Sequence, residues 1–266
     1  MGIKNLKPKV SIIIVNFNNA KFLEKSINSA MKQSYRLFEI IIIDDNSTDN
    51  SLEIIKKFKN KVILIKNKKK TSEGSYNQIN CYYKGFLRSK GEYLFFLDSD
   101  DYYKKNKINL VLKQFKKNKN LEITFDLPIW KFESKTNIKK FKQKKFIFSN
   151  WPRFSPQSCI SVKRNFAKEF FKYVRIKRFE TIWFDFRIAC YSFLKNKNLY
   201  IIKKYLTYYR QLDSSASKKF KFFSKNWWYR RYQAHEYVEF LEKKLNMKKK
   251  VTLDKLLTKA IFFFYD

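Results

Sequence analysis

The chain has 266 residues, with 59 Lys and Arg against 23 Asp and Glu, a formal net charge of +36 at pH 7. Hydrophobic residues make up 44% and aromatics 19%, which excludes a disordered basic tail, while four Gly and four Pro exclude collagen-like and linker-like architectures. Cys81, Cys159 and Cys190 supply neither a disulfide framework nor a zinc spacing, and the single His235 excludes mechanisms that need two histidines.

Residues 9–14 form an apolar run without alternation, the pattern of a strand covered on both faces of a parallel sheet. After the polar turn Asn16-Phe17-Asn18-Asn19, the positions Phe22, Leu23, Ile27, Ala30 and Met31 recur at helical spacing. A second apolar strand, 39–43, runs into Asp44-Asp45, and Asn46-Ser47-Thr48-Asp49 supplies turn and cap chemistry for a helix carrying Leu52, Ile54, Ile55 and Phe58. A strand at 62–65, a helix at 74–89, a strand at 93–97 and a helix at 105–117 continue the alternation. Strand and helix in regular succession predict an α/β fold with an open, mostly parallel sheet and right-handed crossovers.

The second part is less regular. Strands are expected at 121–132, 145–148, 199–202 and 206–209, and helices at 163–173, 181–194, 220–245 and 253–264. No Gly/Pro-rich linker divides the chain. The expected organisation is one domain over 1–215, with halves 1–118 and 119–215, followed by a helical, basic and aromatic extension over 216–266.

In so basic a chain the anomaly is acidic. Asp44, Asp45 and Asp49 cluster after one strand, and Asp98, Asp100 and Asp101 after another. Both clusters fall at strand C-termini, the edge where doubly wound sheets bind ligands. Alternate carboxylates at Asp98 and Asp100 suit one hard divalent cation, Mg2+ or Mn2+, with other positions open to phosphates. The alternative reading makes Asp101 the cap of a helix beginning near Lys104.

The blocks 10–18, 39–49 and 91–101, taken jointly and in this order, resemble the family 2 glycosyltransferases. The resemblance implies a GT-A fold, a nucleotide-diphosphate sugar donor (a UDP-sugar foremost), a divalent metal and inversion at the anomeric carbon. Phe17, with Asn18 beside it, falls where the family places an aromatic ring on the nucleobase; Asp44 and Asp45 match the acidic pair that recognises base and ribose. Asp98 and Asp100 match the metal-binding Asp-x-Asp, with Asp101 adjacent. The family's Arg near the donor diphosphate is missing from Cys81-Tyr82-Tyr83-Lys84-Gly85, leaving Arg88 or a nearby Lys as substitutes. Tyr208-Tyr209-Arg210, followed by serines 214–217, resembles a segment that brings a cation, here Arg210, to the diphosphate under a closing loop.

An inverting enzyme needs a carboxylate to take the acceptor's proton. The matching stretch offers Glu180 and Asp185, five residues apart and so about 140° round a helix; the aromatic flank of Asp185 favours it as the base. An Asp185–Arg187 ion pair is the structural alternative.

The basic excess divides into 10 Arg and 49 Lys, which argues against nucleic acid as a partner. A solvated lysine surface and attraction to anionic lipid or a phosphorylated acceptor both remain open. The polar start and the lack of an apolar stretch of spanning length predict a cytoplasmic protein, or one peripheral at the inner face of the membrane. Two functions stand from this reading. One is sugar transfer to a glycan or lipid-linked acceptor in cell-surface polysaccharide synthesis. The other is a catalytically silent relative that binds anionic membrane or glycan.

Overall fold

The computed structural model describes residues 9–68, 74–132, 136–137, 151–212 and 219–264. Strands β1 (Val10–Asn16), β2 (Phe38–Asp44), β3 (Ile63–Lys66) and β4 (Tyr93–Asp98) alternate with helices α1 (Ala20–Met31), α2 (Ser51–Lys56) and α3 (Gly74–Arg88). There follow β5 (Tyr102–Tyr103), α4 (Lys107–Lys117), β6 (Ile123–Lys131), β7 (Thr136–Asn137), β8 (Ile160–Lys163), α5 (Arg164–Val174), α6 (Phe184–Asn196), β9 (Ile201–Arg210), α7 (Lys225–Lys244) and α8 (Leu253–Phe263).

One sheet carries these strands in the order β3-β2-β1-β4-β8-β6-β9-β5, with β7 beside β6. The first four strands are parallel. Beyond β4 the pairing is mixed: β8 runs antiparallel to both β4 and β6, β9 is parallel to β6, and β5 is antiparallel to β9. The mostly parallel sheet expected from the sequence thus holds for the first half and gives way to a mixed sheet in the second.

Burial of both sheet faces accounts for the unbroken apolar runs. On β1, Ile12 and Ile14 face a core built with Leu23, Ile27, Val111 and Phe115, while Ile13 and Val15 face one built with Ile79, Phe166, Phe184 and Tyr237. Helix α3 lies flush on this second face because of Gly85. A Cβ there would stand 2.3 Å from Ile13 Cγ2 and 2.8 Å from Ile43 Cδ1.

Several expectations need correction. The strands expected at 199–202 and 206–209 are one strand, β9, which the bonding edge of β6 holds continuous apart from register shifts. Helix α4 starts at Lys107, because Tyr102–Tyr103 is drawn into the sheet against β9, where the Tyr102 and Tyr208 rings stack at 4.3 Å. Asp101 therefore caps no helix. Helix α7 starts at Lys225, where Ser224 caps it by accepting from the Trp227 amide. The strand expected at 145–148 and the serine loop at 214–217 lie outside the described residues.

Arg187 fixes the approach to α6. It is fully buried, and its guanidinium donates to the carbonyls of Val174 (2.6 Å), Ile176 (3.0 Å), Ile182 (2.8 Å) and Phe179. The alternative reading, an Asp185–Arg187 pair, gives way to this clamp on the 174–182 segment. Burial pulls the guanidinium down to about 10, which leaves it charged at neutral pH. Arg187→Met leaves four carbonyls without their donor, at about 1 kcal/mol or more each. Urea unfolding is expected to show a loss of about 3 kcal/mol or more; a loss below about 1 kcal/mol contradicts the clamp.

Candidate active site

The strand register assembles the site. Asn16 at the end of β1 pairs with Asp44 on β2, and Val15 pairs with Asp98 on β4. At the usual strand spacing the two acidic clusters stand about 10 Å apart across β1. Phe17 follows directly, 39% exposed, at the mouth between them.

The first cluster organises its own loops. Asp44 is buried and accepts from Asn16 Nδ2 (2.8 Å), Ser47 Oγ (2.7 Å) and the Ser47 amide (3.0 Å). Asn18 sits in the left-handed region, φ 49°, and its Oδ1 accepts from the Thr48 amide at 2.8 Å. Both residues, expected to bind donor, tie the β1–α1 loop to the β2–α2 loop. Asp45 is also buried and is held by the amides of Asn67 (2.8 Å) and Asn77. Lys84 donates to Asn67 Oδ1. Arg88 ends α3 beside the start of β4, roughly 20 Å along that strand from Asp98, so the expected diphosphate role does not fit its position.

The second cluster is crowded. Asp98 Oδ1 accepts from Tyr82 Oη (2.9 Å), Gln157 Nε2 (2.9 Å) and Gln78 Nε2 (3.2 Å). Asp101 is fully engaged: Oδ2 accepts from Ser158 Oγ (2.6 Å) and Oδ1 from the Arg210 amide (2.7 Å). Burial, then the charge of Asp100, raises Asp98 to about 8. Burial and the same neighbours push Asp101 well up, and burial raises Asp100. Arg210 opposes this. Its Nε donates to the Asp100 carbonyl at 2.8 Å, and its charge favours the Asp100 carboxylate.

Beneath the cluster lies a buried cation. Lys107 Nζ is 2.7 Å from Asp126 Oδ2 and donates to the Ser158 carbonyl and Thr207 Oγ1, each at 2.7 Å. Ser158 Oγ in turn accepts from the Asp98 amide at 3.0 Å.

Asp185 lies in the first turn of α6, where its Oδ1 accepts from the Phe186 amide at 2.8 Å. Burial raises its carboxyl, Arg230 of α7 opposes the shift, and its charge is felt at Asp98. Burial, then the charges of Asp101, Asp185, Asp98 and Asp100, push the Tyr209 hydroxyl well up. Glu180 precedes α6 and is exposed, so the expected helical relation between the two acids does not arise. Their difference in position favours Asp185.

The residues fit a divalent cation in part. Like charges crowd the site, whereas Asp101 is withdrawn into the Ser158 and Arg210 bonds. Among the described residues no group of three or more His, Cys, Asp or Glu has metal-holding geometry. A cation here would take two carboxylates from the chain and keep its other positions for phosphate oxygens and water.

Sequence reading missed Gln78, Tyr82, Gln157, Ser158 and Lys107. Their signal is weak because neutral amides and hydroxyls on separate elements carry no local pattern. His235 is outside the centre: it packs on Trp151 at 4.6 Å between ring centroids, with Nε2 3.4 Å from Asp254.

A carboxyl raised in the fold stabilises the protein below its unfolded value and loses that contribution as pH rises through the folded one. The metal-free melting temperature is therefore expected to fall from about pH 4, the unfolded carboxyl range, to the raised Asp98 value of about 8, and to level off above it. Asp100→Asn removes the main repulsion and flattens that slope. Equal slopes in EDTA for the two proteins would count against the crowding.

Comparisons with known proteins show the family and the fold. The family model described as glycosyl transferase family 2 matches residues 11–199. Among relatives, the UDP-Glc:alpha-D-GlcNAc-diphosphoundecaprenol beta-1,3-glucosyltransferase WfaP of Escherichia coli is 43% identical over 101 residues, 38% of each chain. The poly(ribitol-phosphate) beta-N-acetylglucosaminyltransferase TarP of Staphylococcus aureus is 43% identical over 97 residues, 35% of this chain and 28% of that one. The matched stretch thus spans about a third of these relatives' length. The crystal structure of S. aureus TarS 1-349 in complex with UDP superposes with a TM-score of 0.64 at 16% identity, covering 96% of this chain and 69% of that one. A mannosyltransferase from Pyrobaculum calidifontis, in complex with GDP-Man and Mn2+, gives 0.52 at 11%, covering 98% and 71%. The fold is GT-A, and the chain belongs to glycosyl transferase family 2.

Proposed function

We propose that the chain transfers a sugar from a UDP-sugar, with inversion, to a hydroxyl of a glycan or lipid-linked acceptor in cell-envelope polysaccharide synthesis. The observation that carries this reading is the convergence of Asp98, Asp100, Arg210, Tyr209 and Asp185 at one sheet edge beside Phe17. UDP and UDP-GlcNAc are bound in structures of TarS, which shares the fold, and WfaP and TarP are named for transfer to envelope glycans.

Phe17 offers its ring to the nucleobase, with the amide-held Asp45 as hydrogen-bond acceptor behind it; Asp44 and Asn18 position these loops. Arg210 faces the diphosphate. Asp98 and Asp100 would hold Mg2+ or Mn2+, which supplies charge neutralisation of the leaving diphosphate when bound. Asp185 takes the proton from the acceptor hydroxyl as its oxygen bonds to the anomeric carbon and the bond from that carbon to the diphosphate oxygen breaks. Burial, which raises Asp185, strengthens it as a base.

UDP with Mn2+ is expected to raise the melting temperature of the wild type, and Asp100→Ala to abolish that shift with the fold intact. Asp185→Asn is expected to keep the shift and to lower kcat by about 100-fold or more. A wild type that binds UDP and Mn2+ but turns over no UDP-sugar with any glycan or lipid-linked acceptor would favour the silent binder. Transfer undiminished in Asp185→Asn removes that residue from the role of base.

A further inference from the structure

Helix α8 is built inside out. Asp254, Lys255 and Thr258 are buried against α7, while Leu253, Leu256, Leu257, Phe263 and Phe264 are 54–88% exposed. Their spacing of three and four residues puts them in one stripe along the helix. The inward polar face is paired: Arg231 donates to Asp254 Oδ1 at 2.8 Å, Lys255 pairs with Glu239, and Lys259 is 3.4 Å from Glu236. An amphipathic helix whose polar side is satisfied by the protein presents its apolar side to something else.

We infer that this stripe docks the protein on an anionic lipid surface. Charge selects the occupant. Residues 216–266 carry 13 Lys and Arg against 5 Asp and Glu. The four acids among the described residues, Glu236, Glu239, Glu242 and Asp254, are drawn into ion pairs or buried, so the outer side is cationic. Lys243, Lys244, Lys248, Lys249 and Lys250 lead directly into exposed Val251 and Leu253. An apolar stripe of Leu and Phe flanked by lysines is the composition of a helix lying in the headgroup region. A second copy would instead bring two chains of charge +36 face to face. No described helix is long and apolar enough to cross a membrane, which suits surface docking rather than spanning.

The placement has a consequence that rests on the transferase reading. Phe262 at the end of α8 stacks on Tyr232 at 4.5 Å, which sets that end beside the start of α7. There Arg230 lies over the Phe220 ring at 4.7 Å while its charge acts on Asp185. Docking through α8 therefore turns the α7 side of the proposed site toward the lipid surface, the side from which a lipid-linked acceptor would come.

The test is flotation of the full chain with vesicles of phosphatidylcholine alone or mixed equally with phosphatidylglycerol, at about 0.15 M salt, where the Debye length is about 8 Å. The variant Leu256→Ser/Leu257→Ser/Phe263→Ser keeps every charge, and its melting temperature and UDP-induced shift check that it is folded. Wild type is expected to float with the anionic vesicles only, and the variant to bind them about tenfold or more weakly. The single variant Phe263→Ser, on the helix's last turn, is expected to lie between. Equal binding of wild type and triple variant would reduce the effect to bulk charge and overturn the proposal. So would wild type that stays unbound, or that sediments as a dimer which the triple variant dissolves. Because vesicle binding is read without turnover, its failure and the failure of the transferase reading are separate results.

Discussion

The acidic cluster is framed from beneath by a buried cation. Lys107, wholly buried, joins α4 to Asp126 of β6, to Thr207 of β9 and to the carbonyl of Ser158. Ser158 then binds both the Asp98 amide and the Asp101 carboxylate. A buried ion pair contributes little net stability, since desolvating both charges offsets their attraction, and an apolar replacement is often as stable. Its effect here is geometric. Four elements that are distant in sequence are fixed in one register under the acidic cluster.

The two kinds of strand pairing divide the labour. Parallel strands end together, so β1, β2 and β4 deliver Asn16, Asp44 and Asp98 to one edge by register alone. Parallel pairing cannot by itself bring a second set of groups over that edge. The mixed half does so: antiparallel β8 returns the chain past β4 with Gln157 and Ser158 ahead of it, and β9 ends with Tyr209 and Arg210 above the cluster. The Arg187 clamp then sets the turn from which α6 begins, and with it Asp185.

What could be read from the sequence follows from which signals are local. The alternation of strand and helix to residue 117, the two acidic clusters, Arg210 and Asp185 all stand in short stretches whose pattern carries the meaning. Asp101 shows the limit. Its neighbours made it a metal ligand or a helix cap, yet its role comes from Ser158 and Arg210, 57 and 109 residues away. Arg88 fails for a related reason: α3 is 15 residues long, and the residue nearest a motif in sequence is carried to the opposite edge of the sheet. Asp44 was read by position as a donor contact, while Asn16 and Ser47 occupy its oxygens. The division of residues 199–209 into two strands reflects Lys203 and Lys204, which are exposed within a continuous β9.

Scarcity makes the acids the informative charges. With 49 lysines distributed over the chain, a lysine on the surface says little about its surroundings, because most surface positions are permissive for it. Several buried carboxylates stand where something holds them. Asp44 and Asp45 are held by amides and hydroxyls, Asp126 by Lys107, Asp254 by Arg231, and Asp98 and Asp101 by the network over Lys107. The same logic explains α8. Its acid and one of its lysines turn inward to satisfy α7, so the apolar residues are left on the outside by necessity, and the helix reads as an ordinary buried one until its polar partners are located. Hydropathy alone gives the period of a helix but not which side faces the protein. Here the ion pairs decide it.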